Sequence, residues 1–451
     1  MSPTVHQGPV TEAVRMPTSE WELQHRALVG LLAIALFLLG QAAVSQLRLP
    51  SWGAILFPVP STVVAAMALA PWSWIARLKQ RALGQRVSLL VGLVIIATSA
   101  SISIVAIASP PGGWDQPLTM VCASRDLLAG NDPYGTFEPQ CEAALGYSGT
   151  AATPLESGPF ANFHHYPSTR QVKAVMAADQ IGHTHAGFPA FGYPPLAAVL
   201  LIPVAYQTWP IIDLWVAGLC VLLLTLMAWG SPRPGALVVA WQLAGLALTW
   251  HAFGWNPEEV SYLFLALAFA QIDRIRLSSL ALAAAVLSNP ISWLAAPIYI
   301  AATHRADSWG RRLIWVFGSS AAILIPWMLW DPQLPAQVFR FITLPEFPIG
   351  ATIATLVPLP SNLRPLFMAL FLAVIAVCTT VAWRSSAWRW SMVAFVFLAF
   401  FVSWRGPVYY YLAPLWLAPA VALGAARLEV AAARAPVTLL AARVAEENRR
   451  G

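Results

Sequence analysis

Charged side chains are scarce in this sequence. Only 10% of its 451 residues are Asp, Glu, Lys or Arg, whereas about 25% is usual for a soluble domain. Hydrophobic residues make up 58% of the chain, and apolar runs near the length of a bilayer crossing recur throughout. The composition therefore excludes an ordinary soluble domain and predicts an all-α polytopic membrane protein.

The sequence also lacks a basic stripe with interleaved aromatic residues, the pattern typical of a nucleic-acid-binding surface. We therefore expect no nucleic-acid partner, although the net charge is +6. The surplus positive charge is interpreted as a topology signal, because lysine and arginine accumulate in cytoplasmic loops.

Cysteines are few, and none of the four forms a CxxC motif, which argues against a zinc ribbon or a redox motif of that kind. Cys220 and Cys378 lie inside apolar runs, where a free thiol packs as a small hydrophobic group. Cys122 and Cys141 share one polar stretch and can pair if that stretch lies outside the cytoplasm. The sequence leaves this pairing open.

No cleavable signal sequence is evident, because the first apolar run starts late, is long and lacks a small-residue cleavage site. The positive-inside rule predicts about twelve spans, a multi-pass inner (plasma) membrane protein and two cytoplasmic termini. We expect a cytoplasmic leader at 1–26, followed by three spans within 27–108 and a polar extracytoplasmic loop at 109–193. A membrane bundle at 194–426 should then contain a second extracytoplasmic loop at 331–364. The chain should end in a basic cytoplasmic tail at 427–451.

The region between 194 and 303 allows two topologies. If Pro194 to Tyr206 and Ser279 to Thr303 each cross once, Asp273 to Arg276 lies outside. If those arginines are cytoplasmic, Ser279 to Thr303 is a hairpin of two half-length helices broken at Ser288-Asn289-Pro290, and Pro194 to Tyr206 is re-entrant. The second topology is credible because a helix rises about 1.5 Å per residue and 13 residues are short for about 30 Å of hydrocarbon.

The polar loop begins soon after a predicted span and contains an acid, Asp115, within a few residues of it. Apolar residues then recur at helical spacing and predict a short amphipathic helix along the membrane surface, ended by Gly130. Asp115 lies two residues before Pro117, a good position for an N-cap. Capping and catalysis are both open for Asp115, and the two roles are compatible.

Two motifs give this region a family resemblance. The stretch RDLLAGNDPYG at 125–135, preceded by the acid, and the stretch FGYPPLAAVLLIPVAY at 191–206 resemble glycosyltransferase family 87. Its members are C-type, polyprenol-phosphate-mannose-dependent mannosyltransferases. The residues that match by position and order are Asp115, Gly130, Asp132, Pro133, Tyr134, Tyr193, Pro194 and Pro195. GWNP at 254–257 resembles the family's helix-start motif, and the resemblance covers roughly 109–330.

The sequence departs from the family at three points. Ser288-Asn289 stands where the family usually has a lysine before Pro290, so one cation expected near the lipid phosphate is missing. Two additional spans precede the loop, and the loop is long and rich in histidine. These departures bear on the donor and the acceptor more than on the C-type fold.

The resemblance implies an inverting hexosyltransferase that moves a sugar, mannose by default, from a polyprenol-phosphate donor to a lipid-linked or cell-envelope acceptor. Membrane lipids are expected to surround the protein. Asp115 is the candidate general base. The candidate substrate-binding residues are Arg125, Asp126, Asn131, Asp132, Tyr134, Tyr193, Glu258 and Arg405. Among them, Arg405 and Arg125 are phosphate candidates. Their alternatives are an interfacial anchor for Arg405 and an ion pair with Asp126 or Asp132 for Arg125.

Glu258 enters a site only in the hairpin topology. Four histidines in the loop, His164, His165, His183 and His185, match no familiar ligand spacing, so we expect neither a metal site nor a cofactor, with a divalent cation left open. Two other functions stay open. A lipid or glycan flippase would show charged residues inside spans and internal symmetry, and a non-catalytic lipid-binding subunit would tolerate Asp115→Asn.

Overall fold

The structure is a computed structural model. It describes residues 115–134, 141, 170, 174, 191–229, 258–304, 308–332, 334–336, 338, 349–350, 363–384, 405–406, 417, 420–421, 423–424 and 427–428. The predicted leader, the three N-terminal spans, most of the polar loop and the tail beyond 428 lie outside these residues.

The described part of the chain is almost entirely helical. Its helices are α1 (Asp115–Ala129), α2 (Leu196–Val199), a 3-10 turn (Ile202–Val204), α3 (Trp209–Ala228), α4 (Glu258–Ala270), α5 (Ile275–Ser288), α6 (Pro290–Thr303), α7 (Trp309–Trp330) and α8 (Arg364–Arg384). Two strands of two residues each, β1 (Ile349–Gly350) and β2 (Arg405–Gly406), pair in parallel.

Two of the described helices, Trp309–Trp330 and Pro365–Arg384, are long and apolar enough to cross a bilayer. Their surfaces carry large exposed apolar side chains, including Phe317 and Leu329 on α7 and Leu372 and Val377 on α8. Such surfaces suit contact with lipid. The helical class is thereby confirmed, whereas the count of about twelve spans stays a prediction.

Helix α1 confirms the amphipathic helix predicted in the polar loop. It buries Met120 to Ser124, exposes Leu128 and ends at Gly130, whose φ is +77°. The Gly130 N–H donates to the Leu127 carbonyl and the Asn131 N–H to the Asp126 carbonyl. These two bonds form a Schellman motif, in which glycine avoids the Cβ clash of the left-handed conformation.

The predicted single crossing from Pro194 to Tyr206 does not form. The segment holds only the four-residue α2 and the 3-10 turn, and α3 starts at Trp209. Proline at 203, in the second position of the 3-10 turn, has no N–H to continue a helical ladder, which helps to explain the break.

Residues Ser279 to Thr303 form the hairpin rather than a single crossing. Helix α5 ends at Ser288, and α6 begins at Pro290 with Asn289 between them in extended conformation. The hydroxyls of Ser278 and Tyr299 are hydrogen-bonded, although 21 residues separate them. In one continuous helix they would lie about 31 Å apart, so α5 and α6 must fold back on each other.

The hairpin returns the chain to the end of the bundle where α7 begins. Arg312, in the first turn of α7, donates from Nη2 to the Ile272 carbonyl and from Nη1 to the Tyr299 hydroxyl. The turn containing Asp273 to Arg276 therefore lies at the same end as Arg312, as the second topology requires. We call this end of the bundle, with the 271–274 turn and the start of α7, the basic end.

The C-terminal segment packs against the basic end without room for a side chain at Gly424. A Cβ atom built there would overlap the Phe269 carbonyl oxygen. Arg427 forms an ion pair with Asp273 at 3.8 Å and donates to the Trp229 carbonyl. Residues distant in sequence thus close this end of the bundle.

We predict that Gly424→Ala destabilises the protein by about 1–3 kcal/mol, because the new methyl group meets backbone that cannot rotate away. Gly318→Ala in α7 is the matched control, since a Cβ there meets nothing within 4 Å and alanine favours helix by about 0.5–1 kcal/mol. Thermal unfolding in detergent, followed by tryptophan fluorescence, measures both variants. Equal unfolding temperatures for the two would contradict this packing.

Candidate functional site

The two family-like motifs meet at an aromatic cluster formed by Tyr134, Phe191, Tyr193 and Trp327. The Tyr134 hydroxyl donates to the Tyr193 carbonyl at 2.9 Å across 59 positions of sequence. The Tyr134 ring lies 5.1 Å from Phe191 and 6.1 Å, edge-on, from Trp327 of α7. Tyr134, Phe191 and Tyr193 are all buried, so this cluster fixes the loop that follows α1 against the bundle.

Asp132 shapes the turn that delivers Tyr134 to the cluster. Its Oδ1 accepts a hydrogen bond from the Tyr134 N–H at 2.9 Å, which is the Asx-turn geometry expected of Asn-Asp-Pro-Tyr. Burial raises the pKa of Asp132 above its ordinary value of 3.8, the bond from Tyr134 opposes this effect, and the negative charge of Asp331 adds to it. Two carboxylates from distant parts of the chain therefore face the same region.

Asp331 reaches this region because it directly follows α7. Its N–H donates to the Trp327 carbonyl, so it continues the helix end whose Trp327 ring touches Tyr134. Burial raises the pKa of the Tyr134 hydroxyl far above its ordinary range, and the charges of Asp132 and Asp331 raise it further. The phenol therefore stays protonated and keeps donating to the Tyr193 carbonyl.

Arg125 holds α1 against the segment after α2. Its Nε donates to the Ala205 carbonyl at 2.8 Å, and its guanidinium lies 5.3 Å from the Tyr206 ring centroid. Nη1 also contacts the sulfur of Cys141. The side chain thus has packing and hydrogen-bonding partners other than Asp126 and Asp132, and phosphate contact by Arg125 stays a prediction.

A disulfide joins Cys122 to Cys141, with an S–S distance of 2.08 Å and a Cα–Cα distance of 5.9 Å. The pairing that the sequence left open is therefore present, while Cys220 and Cys378 are buried and outside any disulfide, as predicted. Ser124, the residue before Arg125 and on the buried side of α1, donates to the Ala198 carbonyl. Together these contacts attach α1 firmly to the 196–205 segment.

Asp115 lies at the far end of α1 from this cluster. The helix begins at Asp115, and the 14 steps to Ala129 correspond to about 21 Å along the axis. Asp132, Tyr134 and Tyr193 come together in the structure, and Asp132 and Tyr134 follow the Ala129 end of the helix. The side chain of Asp115 is not among the described features, so its capping role stays open.

The remaining predicted residues are distributed around the bundle. Asp126 is buried in α1, and Asn131 is exposed. Glu258 opens α4, and Arg405 pairs through the backbone with Ile349 in the small parallel ladder. That ladder joins the two segments predicted to share the extracytoplasmic side. Ligand contact by the side chains of Glu258 and Arg405 stays a prediction.

Within the described ranges, no group of three or more His, Cys, Asp or Glu residues is placed to hold a metal ion. The four loop histidines lie outside those ranges. Whether the protein needs a metal ion therefore stays open.

Comparison with models of protein families, with curated proteins and with solved structures finds no match for this chain. The resemblance to family 87 therefore rests on the motifs quoted above. The structure adds that the two main motifs contact each other through Tyr134 and Tyr193.

Sequence reasoning did not single out Trp327 and Asp331 for the site. The available signal was positional, since Asp331 directly follows a predicted span, as Asp115 nearly does. Only the contact between α7 and the 131–134 turn reveals which loop faces Asp331.

We predict that Asp132→Asn stabilises the protein at neutral pH. Asparagine keeps the Oδ1 acceptor for Tyr134 but removes a charge that burial and Asp331 disfavour. Because the pKa of Asp132 is raised in the folded state, wild type loses stability as the pH rises above about 3.8 and through that raised pKa. The advantage of the variant should therefore vanish on acidification.

Unfolding temperatures of wild type, Asp132→Asn and Asp132→Ala between acid and neutral pH test this prediction. The alanine variant loses the Asx-turn acceptor and should be less stable than the asparagine variant at every pH. An asparagine variant that is less stable than wild type at neutral pH would contradict the electrostatic assignment.

Proposed function

We propose that this protein is a membrane glycosyltransferase that transfers a sugar, mannose by default, from a polyprenol-phosphate donor to a lipid-linked or cell-envelope acceptor. One observation carries the proposal. The RDLLAGNDPYG and FGYPPLAAVLLIPVAY stretches of the family resemblance contact each other through the hydrogen bonds from Tyr134 to the Tyr193 carbonyl and from Arg125 to the Ala205 carbonyl. This contact supports the proposal, because it joins the two segments that carry the resemblance.

Asp115 is the proposed general base, which takes the proton of the acceptor hydroxyl as that oxygen attacks the anomeric carbon. A single displacement of this kind inverts the anomeric configuration. Because Asp115 and the turn that leads to Tyr134 follow opposite ends of α1, which are about 21 Å apart along the axis, we propose that the Tyr134 cluster anchors the loop and that the reacting atoms lie near the start of α1.

The departing phosphate needs donors or positive charge. Where the family resemblance leads us to expect a lysine, Asn289 caps α6 by accepting from the Ile291 N–H at 2.8 Å. Its Nδ2 is buried and finds no acceptor among the residues that the structure describes. A side-chain amide N–H beside a helix N-terminus can donate a hydrogen bond to an anion without carrying a charge itself. Asn289 is therefore proposed to substitute for the missing cation.

A lipid donor also accounts for a site at the membrane surface. The polyprenyl chain can remain in the bilayer beside exposed apolar helices such as α7 while its head group enters the loop region. No described feature specifically favours a flippase over a transferase.

We predict that Asp115→Asn lowers sugar transfer by about 100-fold or more, the usual contribution of a general base. The measurement is incorporation of radiolabelled mannose from polyprenol-phosphate-mannose into membrane lipid, at matched membrane levels of each protein. Asp273→Asn is the control, because it makes the same change at an acid of the basic end, where the lost ion pair with Arg427 affects folding rather than the start of α1.

Equal labelling by wild type and Asp115→Asn would remove Asp115 as the base. No labelling by wild type would contradict the donor or the enzyme class. Retention of anomeric configuration in the product would contradict a single displacement.

A further inference from the structure

The first turn of α7 has a charge pattern opposite to that of most helices. It contains Arg311 and Arg312, it has no acidic residue, and the Ser308 side chain does not cap it. A helix N-terminus already carries partial positive charge and unpaired N–H groups. Two arginines there add like charge, and an anion bound at this point would relieve it.

Arg312 is a buried arginine without an ion-pair partner in the described part of the chain. It is 4% exposed, and its two terminal nitrogens donate to the Tyr299 hydroxyl and the Ile272 carbonyl. Its Nε–H has no acceptor among the described residues. Buried charges are usually paired, so both the charge and the free N–H indicate a missing anionic partner.

A second donor lies beside it on the same helix face. The indole Nε1–H of Trp309 is buried and also lacks an acceptor in the described ranges. Trp309 and Arg312 are three residues apart, which brings their side chains together on one face of α7. Both donors thus belong to the first turn of α7, where the helix N-terminus also lies.

The surrounding charge is strongly positive. Arg274, Arg276, Arg311 and Arg427 lie at the same end as Arg312, and Asp273 is the one acid that ion-pairs there among the described residues. Burial lowers the pKa of Arg427, Asp273 opposes this effect, and the charge of Arg274 adds to it. The Nε of Arg427 is a further buried donor without an acceptor in the described part.

The position of these groups suits the membrane interface. Trp315 and Trp383 are exposed at this level, Arg276 lies over the Trp315 ring, and His304 stacks on Trp383. Tryptophan and arginine concentrate at the head-group level of a bilayer. Beyond them α7 exposes Phe317, Ile325 and other apolar side chains along its length.

We propose that the N-terminus of α7, with Trp309, Arg311 and Arg312, binds the phosphodiester group of an anionic phospholipid whose acyl chains lie along the exposed apolar face of α7. This site does not depend on the proposed glycosyl transfer. Trp309 and Trp327 are 18 residues apart in one helix, which is about 27 Å, close to the thickness of the hydrocarbon core. The lipid site and the Tyr134 cluster therefore lie at opposite ends of α7.

The test measures binding of phosphatidylglycerol, phosphatidylcholine and inorganic phosphate to the purified full-length protein in neutral detergent, by native mass spectrometry. We expect phosphatidylglycerol to bind in preference to phosphatidylcholine. Arg311→Gln should weaken that binding about fivefold, the factor that one basic residue near a membrane surface contributes.

Two further variants separate a lipid site from general surface charge and from misfolding. Arg364→Gln removes an arginine at the opposite end of α8 from Trp383, about 30 Å away along the helix axis, and should leave phosphatidylglycerol binding unchanged. Arg312→Lys keeps the charge but replaces the guanidinium by one ammonium group, which cannot supply the Nε–H and both terminal donors at once. It should weaken binding while the protein stays monodisperse. Arg312→Gln is avoided because it removes the buried charge as well.

Equal retention of phosphatidylglycerol by wild type, Arg311→Gln and Arg312→Lys would overturn the proposal. Equal binding of both phospholipids would show that the apolar face alone holds lipid. Displacement of phosphatidylglycerol by inorganic phosphate at similar concentration would show a site for a free anion rather than for a lipid.

Discussion

The structure depends on satisfying backbone polar groups inside an apolar bundle. Helices that stop or turn within such a bundle leave carbonyl and N–H groups without water to bond them. Gln271 donates to carbonyls at the end of α3, including Leu226 and Met227, and Arg427 donates to Trp229. At the hairpin tip, Asn289 accepts from Ile291. The few polar side chains are therefore used where the chain interrupts its own helices.

The same constraint explains why the two ends of the bundle differ. At one end, arginines bond carbonyls of the 226–229 and 271–274 turns and give that end a surplus of positive charge. At the other end, hydroxyl groups and an aspartate perform the equivalent task, with Tyr134 bonded to Tyr193 and Asp132 to the Tyr134 N–H. Helix α7 joins the ends, since Arg312 lies in its first turn and Trp327 in its last.

Much of this organisation could be predicted from local sequence. Gly130 identified the end of α1, because few other residues adopt a positive φ, and Pro290 after Asn289 identified a helix start. Asp132 before Pro133 indicated the turn. Each of these predictions depends on one or two neighbouring residues, which is why it succeeded without knowledge of tertiary contacts.

The rest required contacts between residues far apart in sequence. The choice between a single crossing and a hairpin depends on the bonds of Tyr299 to Ser278 and Arg312, which no local pattern encodes. The approach of Asp331 to Asp132 depends on how α7 packs.

The most direct test of this account asks whether the two ends face opposite sides of a membrane. Asn131 and Arg276 are both exposed, and the native cysteines are either paired or buried, so single new cysteines at these positions can be labelled selectively. A membrane-impermeant maleimide should label Asn131→Cys in intact cells and Arg276→Cys only after permeabilisation. Labelling of both variants in intact cells would contradict the hairpin topology, and with it the placement of the two ends of the bundle on opposite sides of the membrane.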